Sequence, residues 1–283
     1  MNFLVDYHVH SIYSSDGHNT IMEMCESAVN NGIGEIAITD HFEPNIADEY
    51  GSSYNQKGYW AHINKARQAF KGRLNIKLGV ELGQPHLFSE ASSAVIADFP
   101  YDYIIASVHK LPAGMDIKEL DYSRIGEEEL CEMYLRQLKQ LVYWNNFDCI
   151  GHLDLIKRYS APVYKKNISL TCRHELLKGV LLLAVQSGKG IEINTSGLRQ
   201  SPKEAFPGLD VVKLYRNMGG EILTIGSDAH MAEDVGRGLK EALDMAREAG
   251  FRHITVYNRR KPEWVSITEG KNTFGSAKQI INR

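Results

Sequence analysis

Histidine and carboxylate recur in short clusters along this chain: Asp6-Tyr7-His8-Val9-His10, Thr39-Asp40-His41, Gly79-Val80-Glu81, Ser107-Val108-His109, Gly151-His152-Leu153-Asp154 and Ser227-Asp228-Ala229-His230. On an extended strand, residues two apart point to the same face. His8 and His10 therefore form a clamp on one rung, and Asp228 and His230 form a second. Imidazole and carboxylate donors without thiolate suit Zn²⁺, Fe²⁺ or Mn²⁺. The candidate ligands exceed the four that one ion needs, so more than one metal is expected. Multi-metal sites of this kind suit phosphate-ester hydrolysis.

The clusters close short apolar runs, seven of which recur along the chain: Phe3–Val9, Ile36–Thr39, Ile76–Val80, Tyr103–Val108, Cys149–Ile150, Ile191–Asn194 (ending in Glu192-Ile193-Asn194-Thr195) and Ile222–Ile225. Between the runs lie segments of helical periodicity. Thr20 and Glu23 have the spacing of a capping box, ahead of Ile21, Met24, Cys25, Ala28 and Val29 on one face. Further helices are expected over Gly58–Phe70, Glu127–Asn145, Leu170–Gln186, Val211–Met218 and Leu239–Ala249, and His253–Tyr257 could add a late strand. Strands alternating with helices predict a parallel sheet. No linker or repeat interrupts the pattern, so residues 1–283 are expected to form one domain, a distorted (β/α) barrel of seven strands. A doubly wound sheet is the alternative, but no Gly-x-Gly-x-x-Gly follows the first strand. In a barrel the strand ends converge on one face. Six of the eleven histidines (8, 10, 41, 109, 152 and 230) would meet there.

Composition is that of an ordinary globular protein, with 43% hydrophobic and 24% charged residues. A formal net charge of −3 argues against nucleic-acid binding through a whole-protein basic field. No run approaches the ~18 apolar residues that span a bilayer. The N-terminus has neither a basic start nor a long apolar stretch, so no signal peptide is expected. Cys25, Cys131, Cys149 and Cys172 form no Cys-x-x-Cys pair and are expected as reduced, core-filling thiols in the cytoplasm. Oligomeric state is left open.

Together the clusters resemble the signature of the polymerase-and-histidinol-phosphatase (PHP) superfamily of metal-dependent phosphoesterases. The histidinol-phosphate phosphatase branch is matched by His152-Leu153-Asp154-Leu155-Ile156-Lys157-Arg158-Tyr159, by Glu192-Ile193-Asn194-Thr195-Ser196-Gly197-Leu198-Arg199, and by the tail from Gly250-Phe251 to Arg260-Lys261-Pro262. The resemblance implies a distorted (β/α)7 barrel holding three divalent ions (Zn, Fe or Mn). His8, His10, Glu81 and Asp228 would bind one. Glu81, His109 and His152 would bind a second. Asp16, His41 and His230 would bind a third, with Asp16 standing where other branches carry a histidine. The implied activity is hydrolysis of L-histidinol phosphate, a small phosphate monoester, by attack of a metal-bridging hydroxide, with Glu81, Asp228 and His230 as the catalytic residues.

Arg158 and Arg199 follow the fifth and sixth strands and are expected to bind phosphate. Glu43 and Glu192 are acidic candidates for the substrate amine, whereas Lys110 is set aside because strand alternation would turn it away. Asp6, Asp40 and Asp154 flank ligand histidines, either accepting the far imidazole N–H or capping turns. A phosphoesterase of the same superfamily acting on nucleotides or other monoesters is the alternative. An amidohydrolase barrel fits less well, because strand three ends in Glu81 and strand four in His109 where that pattern carries a bridging lysine. A ligand-poor interaction module fits less well because the chain keeps all nine candidate ligands.

Overall fold

The computed structural model describes residues 4–45, 47–48, 51 and 54–267. Seven parallel strands follow one another around a barrel: Leu4–Val9, Ile33–Ile38, Asn75–Gly83, Tyr103–Ser107, Cys149–Ile150, Gly190–Asn194 and Leu223–Gly226. Each pairs with the next in chain order. Phe3, expected to open the first strand, lies outside the described residues.

First and seventh strands meet only at their C-terminal ends. There the Asp228 N–H donates to the His8 carbonyl at 2.8 Å and the His10 N–H to the Ala229 carbonyl at 2.9 Å. Asp6 reinforces this junction by accepting from the backbone N–H of Ser227 at 2.8 Å and of Gly236 at 2.9 Å. The sheet therefore curls nearly closed, with its distortion at this junction, which excludes the open doubly wound alternative.

Helices cover the outside. Ile21–Asn30 begins with the expected capping box, in which Thr20 Oγ1 accepts from the Glu23 N–H and Glu23 Oε2 accepts from the Thr20 N–H. Gln56–Ala69, Glu127–Trp144, His174–Gln186, Leu209–Asn217 and Leu239–Glu248 match the expected helices to within a few residues, with Leu170–Arg173 a 3-10 turn. Three helices were not anticipated, the single turn Ser196–Arg199 among them. Ser89–Asp98 buries only Ala91, Ser92 and Val95, too small an apolar stripe to read. Ile156–Tyr164 carries Pro162 in its interior. Cys25, Cys131 and Cys149 are buried as expected, but Cys172 is exposed, because it sits on the 3-10 turn and not on the inward face of the following helix.

The late strand His253–Asn258 does not join the barrel. It pairs antiparallel with Lys261–Ser266 in a hairpin across the barrel's N-terminal mouth. Tyr257 enters the interior, its ring 5.0 Å from that of Tyr103, which in turn lies 5.2 Å from Tyr7. The Tyr257 N–H donates to the Tyr7 hydroxyl at 2.8 Å. Both turn residues, Arg259 (φ +50°) and Arg260 (φ +62°), are left-handed, a conformation that two-residue hairpins usually give to Asn-Gly. Asp102 and Asp148 hold them there: Asp102 accepts from the N–H of Arg259, and Asp148 from Nε of Arg260. Among the described residues no helix is long and apolar enough to cross a membrane.

Candidate metal centre

The opposite mouth of the barrel is polar and buried. Glu81, fully buried on the third strand, stands at its centre. Its Oε2 lies 3.2 Å from Nε2 of His8, 3.4 Å from Nε2 of His10 and 2.9 Å from Nδ1 of His41. Its Oε1 lies 3.3 Å from Nε2 of His109 and 3.0 Å from Nε2 of His152. Asp228 Oδ1 sits 3.7 Å from Nε2 of His8 and 3.4 Å from Nε2 of His10. Asp16 reaches in from the rim, 3.7 Å from Nε2 of His41 and 3.4 Å from Nε2 of His230. All nine sequence candidates thus converge from six separate stretches of chain.

Local structure explains how they arrive. His8 and His10 share one face of the first strand, while Val9 between them is buried on the other. The second strand breaks after Ile38 and resumes as His41–Phe42, which pairs with Glu81–Leu82 and sets His41 beside Glu81. Asp228 adopts a left-handed backbone (φ +54°) directly after the seventh strand. Strained non-glycine residues of this kind gather at functional sites.

The far nitrogens of the imidazoles are tied down. Nδ1 of His8 donates to Glu192 Oε1 at 2.7 Å, and Glu192 Oε2 accepts from the His152 N–H at 2.8 Å. Nδ1 of His109 donates to Glu43, whose other oxygen accepts from Lys110 Nζ at 2.7 Å and from Gln84 Nε2 at 2.8 Å. Nδ1 of His230 donates to the Asp228 carbonyl at 3.1 Å. An ionised carboxylate or a carbonyl only accepts, so each of these rings keeps a proton on Nδ1 and turns Nε2 inward as the ligand nitrogen. Glycines make room: a side chain at Gly226 would collide with His8 and Glu192, and one at Gly83 with Glu43.

Several sequence expectations are corrected here. Asp6 touches no imidazole and is spent on the barrel junction. Asp154 pairs with the buried Lys157 at 2.8 Å. Glu192 is 1% exposed and occupied with histidines, so it has nothing to offer a substrate amine. Lys110 does take part, because the fourth strand ends at Ser107 and alternation does not run through to it. Glu43 reaches the centre, with its oxygens engaged by His109, Lys110 and Gln84.

Arg158 Nη2 donates to Asp228 Oδ2 at 3.2 Å and to Ser196 Oγ at 2.9 Å, and the guanidinium lies 5.5 Å from the centre of the buried Phe206 ring. Arg199 turns to the Ser227 carbonyl at 2.9 Å and to Asp234 at 3.4 Å, lining a cleft with Lys203 and Arg237 beside the centre. Nε of Arg158 and Nη1 of Arg199 are buried without a partner.

Electrostatically the cluster is a set of competing proton sites. Burial disfavours a charged His10, and with His230 and His41 beside it the pKa falls well below the usual range. For His8, burial is outweighed by Glu192, Glu81 and Asp228, which raise its pKa. For His109, burial is outweighed in the same way by Glu43 and Glu81. His230, despite its burial, is raised to about 9 by Asp16 and Asp228. Burial would raise Glu81 and Asp228, yet the surrounding imidazoles hold both well below the usual carboxylate range.

Nε2 of His8 and of His10, Nδ1 of His41 and Oε2 of Glu81 are sealed from water with no hydrogen-bond partner. Orphaned lone pairs at such density are costly unless a cation accepts them. Four overlapping groups, including His8-His10-Asp228, His8-Glu81-His152 and His10-His41-His230, offer ligand atoms within 4.8 Å of one another. The donors therefore fit divalent metal ions.

A seven-stranded barrel with a histidine–carboxylate cluster at the C-terminal mouth is the architecture of a metal-binding domain. The chain belongs to the PHP domain family, whose model matches residues 6–196. A histidinol-phosphatase from Lactococcus lactis subsp. lactis is 29% identical over 262 residues, covering 91% of this chain and 95% of its own. A probable histidinol-phosphatase from Thermotoga maritima is 26% identical over 257 residues, 91% of this chain and 97% of its own. The crystal structure of histidinol phosphate phosphatase from L. lactis, complexed with zinc, L-histidinol and phosphate, matches this fold with a TM-score of 0.83 at 27% identity. That match covers 93% of this chain and 100% of that one.

Proposed function

We propose that the protein is a metal-dependent phosphatase, one catalytic domain that hydrolyses L-histidinol phosphate to L-histidinol and phosphate. The observation that carries this reading is the convergence of nine metal-ligand side chains around Glu81, in a chain alike over nearly its whole length to a protein solved with zinc, L-histidinol and phosphate. Three divalent ions fit the donors. His8, His10, Glu81 and Asp228 hold one, Glu81, His109 and His152 a second, and Asp16, His41 and His230 a third. Imidazole and carboxylate donors suit Zn, Fe or Mn.

Such ions supply an activated water and positive charge opposite the phosphate oxygens. The chain's own residues do the rest. Glu81 would be shared between two of the ions. Asp228 both binds metal and aims Arg158, whose free guanidinium face is left for a phosphate oxygen. Arg199, held at the Ser227 carbonyl next to Asp228, is the second arginine proposed for a phosphate oxygen. His230, with Nδ1 held by the Asp228 carbonyl, would present Nε2 beside Asp16 to the third ion. Glu43 is the acidic candidate for the substrate amine, reached by displacing Lys110. A place in the cytoplasm goes with this reading, where free thiols stay reduced.

The test is metal analysis of the purified chain, together with kcat/KM for L-histidinol phosphate, glycerol phosphate and a nucleoside monophosphate. A strong preference for L-histidinol phosphate supports the assignment. Equal values would make it a general phosphoesterase, and a nucleotide preference would move it to a different branch of the family.

A further inference from the structure

Ser14 joins ligands that the reading above gives to different ions. It is 3% exposed. Its Oγ lies 3.0 Å from Nδ1 of His10, 3.0 Å from the backbone N of His41 and 2.7 Å from Oδ1 of Asp40. One hydroxyl has one proton and two lone pairs. Asp40 is held as an acceptor, because the Ser11 N–H reaches its Oδ1 at 2.6 Å and the Ser11 hydroxyl its Oδ2 at 2.7 Å. The Ser14 proton therefore goes to Asp40. The His41 N–H can only donate, which takes one lone pair of Ser14. The other lone pair accepts from His10, so His10 carries its proton on Nδ1 and turns a bare Nε2 toward Glu81 and Asp228, 3.4 Å from each. With the Ser14 proton reversed, His10 would present an N–H to the centre and no lone pair.

We propose that Ser14 is a positioning residue that sets the His10 tautomer and, through the same oxygen, fixes His10 against His41, with Asp40 supplying the direction of the proton. The proposal rests on the metal-centre reading. The same turn delivers Asp16: the Ser14 N–H donates to the Ser11 carbonyl at 2.9 Å and the Gly17 N–H to the Ser14 carbonyl at 3.1 Å. One short loop thus organises contributors to two ion sites.

The experiment compares zinc loss to excess chelator from full-length wild type, Ser14→Ala, Asp40→Asn and Ser11→Ala, with melting curves in chelator as the control for folding. Both the Ser11 N–H and the Ser14 hydroxyl aim at Oδ1 of Asp40, so an asparagine there turns its carbonyl oxygen to the same place and preserves the proton direction. Ser14→Ala is expected to lose zinc on the order of tenfold faster or more, as when a ligand's orienting partner is removed. Asp40→Asn and Ser11→Ala are expected to stay within about threefold of wild type, because each keeps the Ser14 lone pair on His10. If Ser14→Ala does not fold, the isosteric pair Ser14→Thr and Ser14→Val decides, with fast loss expected for valine alone. Wild-type retention in Ser14→Ala, equal rates in the isosteric pair, or fast loss from Asp40→Asn would each overturn the proposal. A folded wild type that binds no zinc would overturn the metal-centre reading and this proposal with it.

Discussion

Glu192 accepts the Nδ1 proton of His8 at 2.7 Å across 184 positions of chain, and this single bond turns Nε2 of His8 toward Glu81 and Asp228. Because the other Glu192 oxygen holds the His152 backbone, one buried carboxylate steadies two histidines that the proposed function gives to different ions. Glu192→Ala is expected to weaken zinc binding about 10- to 100-fold, whereas Glu192→Gln, which can still accept, loses less. Chelator competition on the folded variants checks this, and unchanged affinity in the alanine variant would contradict it.

Glu81→Ala is expected to be the most damaging ligand change. Its two oxygens face five imidazoles, so its loss removes a ligand shared between them and leaves the charge of the bound ions less compensated. Metal content should fall by more than one ion per chain and kcat/KM by at least about a hundredfold. Elemental analysis alongside phosphate release measures both, and near wild-type turnover would remove the bridging role.

Arg158→Ala and Arg199→Ala are each expected to lower kcat/KM by roughly 30-fold, about 2 kcal/mol of transition-state binding, with metal content unchanged. Arg158 should show the larger effect, since its guanidinium is already fixed by Asp228, Ser196 and Phe206. Kinetics on one substrate with metal-saturated variants decides the matter, and unchanged kcat/KM in both rejects the assignment.

Metal binding should release protons. His230 is raised to about 9 in the metal-free chain, so below that pH an incoming ion must displace its proton. The sign follows: apparent affinity at the Asp16-His41-His230 group rises with pH and levels off above about 9. Below that it falls by about tenfold per pH unit for each proton displaced. Titrations with zinc in buffers of different ionisation enthalpy would count the protons, and pH-independent affinity would contradict the prediction.

Tyr257→Ala should cost about 3–5 kcal/mol of stability, because the cavity would open beneath the barrel between Tyr7 and Tyr103 and could not easily collapse. Denaturant melts measure it, and zinc content at low denaturant should not change.

The ligands were legible because strand ends print them in order. His8, His10, Glu81, His109 and Asp228 each follow an apolar run, and a barrel brings such ends together whatever their separation. The groups that orient the ligands were not legible for the same reason. Asp6 and Asp154 are neighbours of histidines in sequence and serve other partners in space. The residues that hold the imidazoles, Glu192 and Glu43, come from other strands. Ser14 lies only four positions from His10, but its use depends on a loop that curls back, and no periodicity marks it. Gln84, with a left-handed backbone (φ +39°) and its side chain on Glu43, left no signal in the sequence.

The mouth that gathers the ligands is also where the barrel is sewn shut. Asp6 takes the Ser227 N–H across 221 positions, and among the described residues the backbones of the first and seventh strands pair nowhere deeper than His8 and Asp228. His8 and His10 stand on one side of that seam and Asp228 on the other. A cation shared by the three would act as a rivet through it. The rivet can be driven only after the seventh strand has docked, because the pairing it fastens has the longest range among the barrel's strand pairings and is among the slowest to form. Every ion bound then favours the closed cylinder over the open ribbon by mass action, so metal supply would govern how long the native chain survives as well as how fast it turns over.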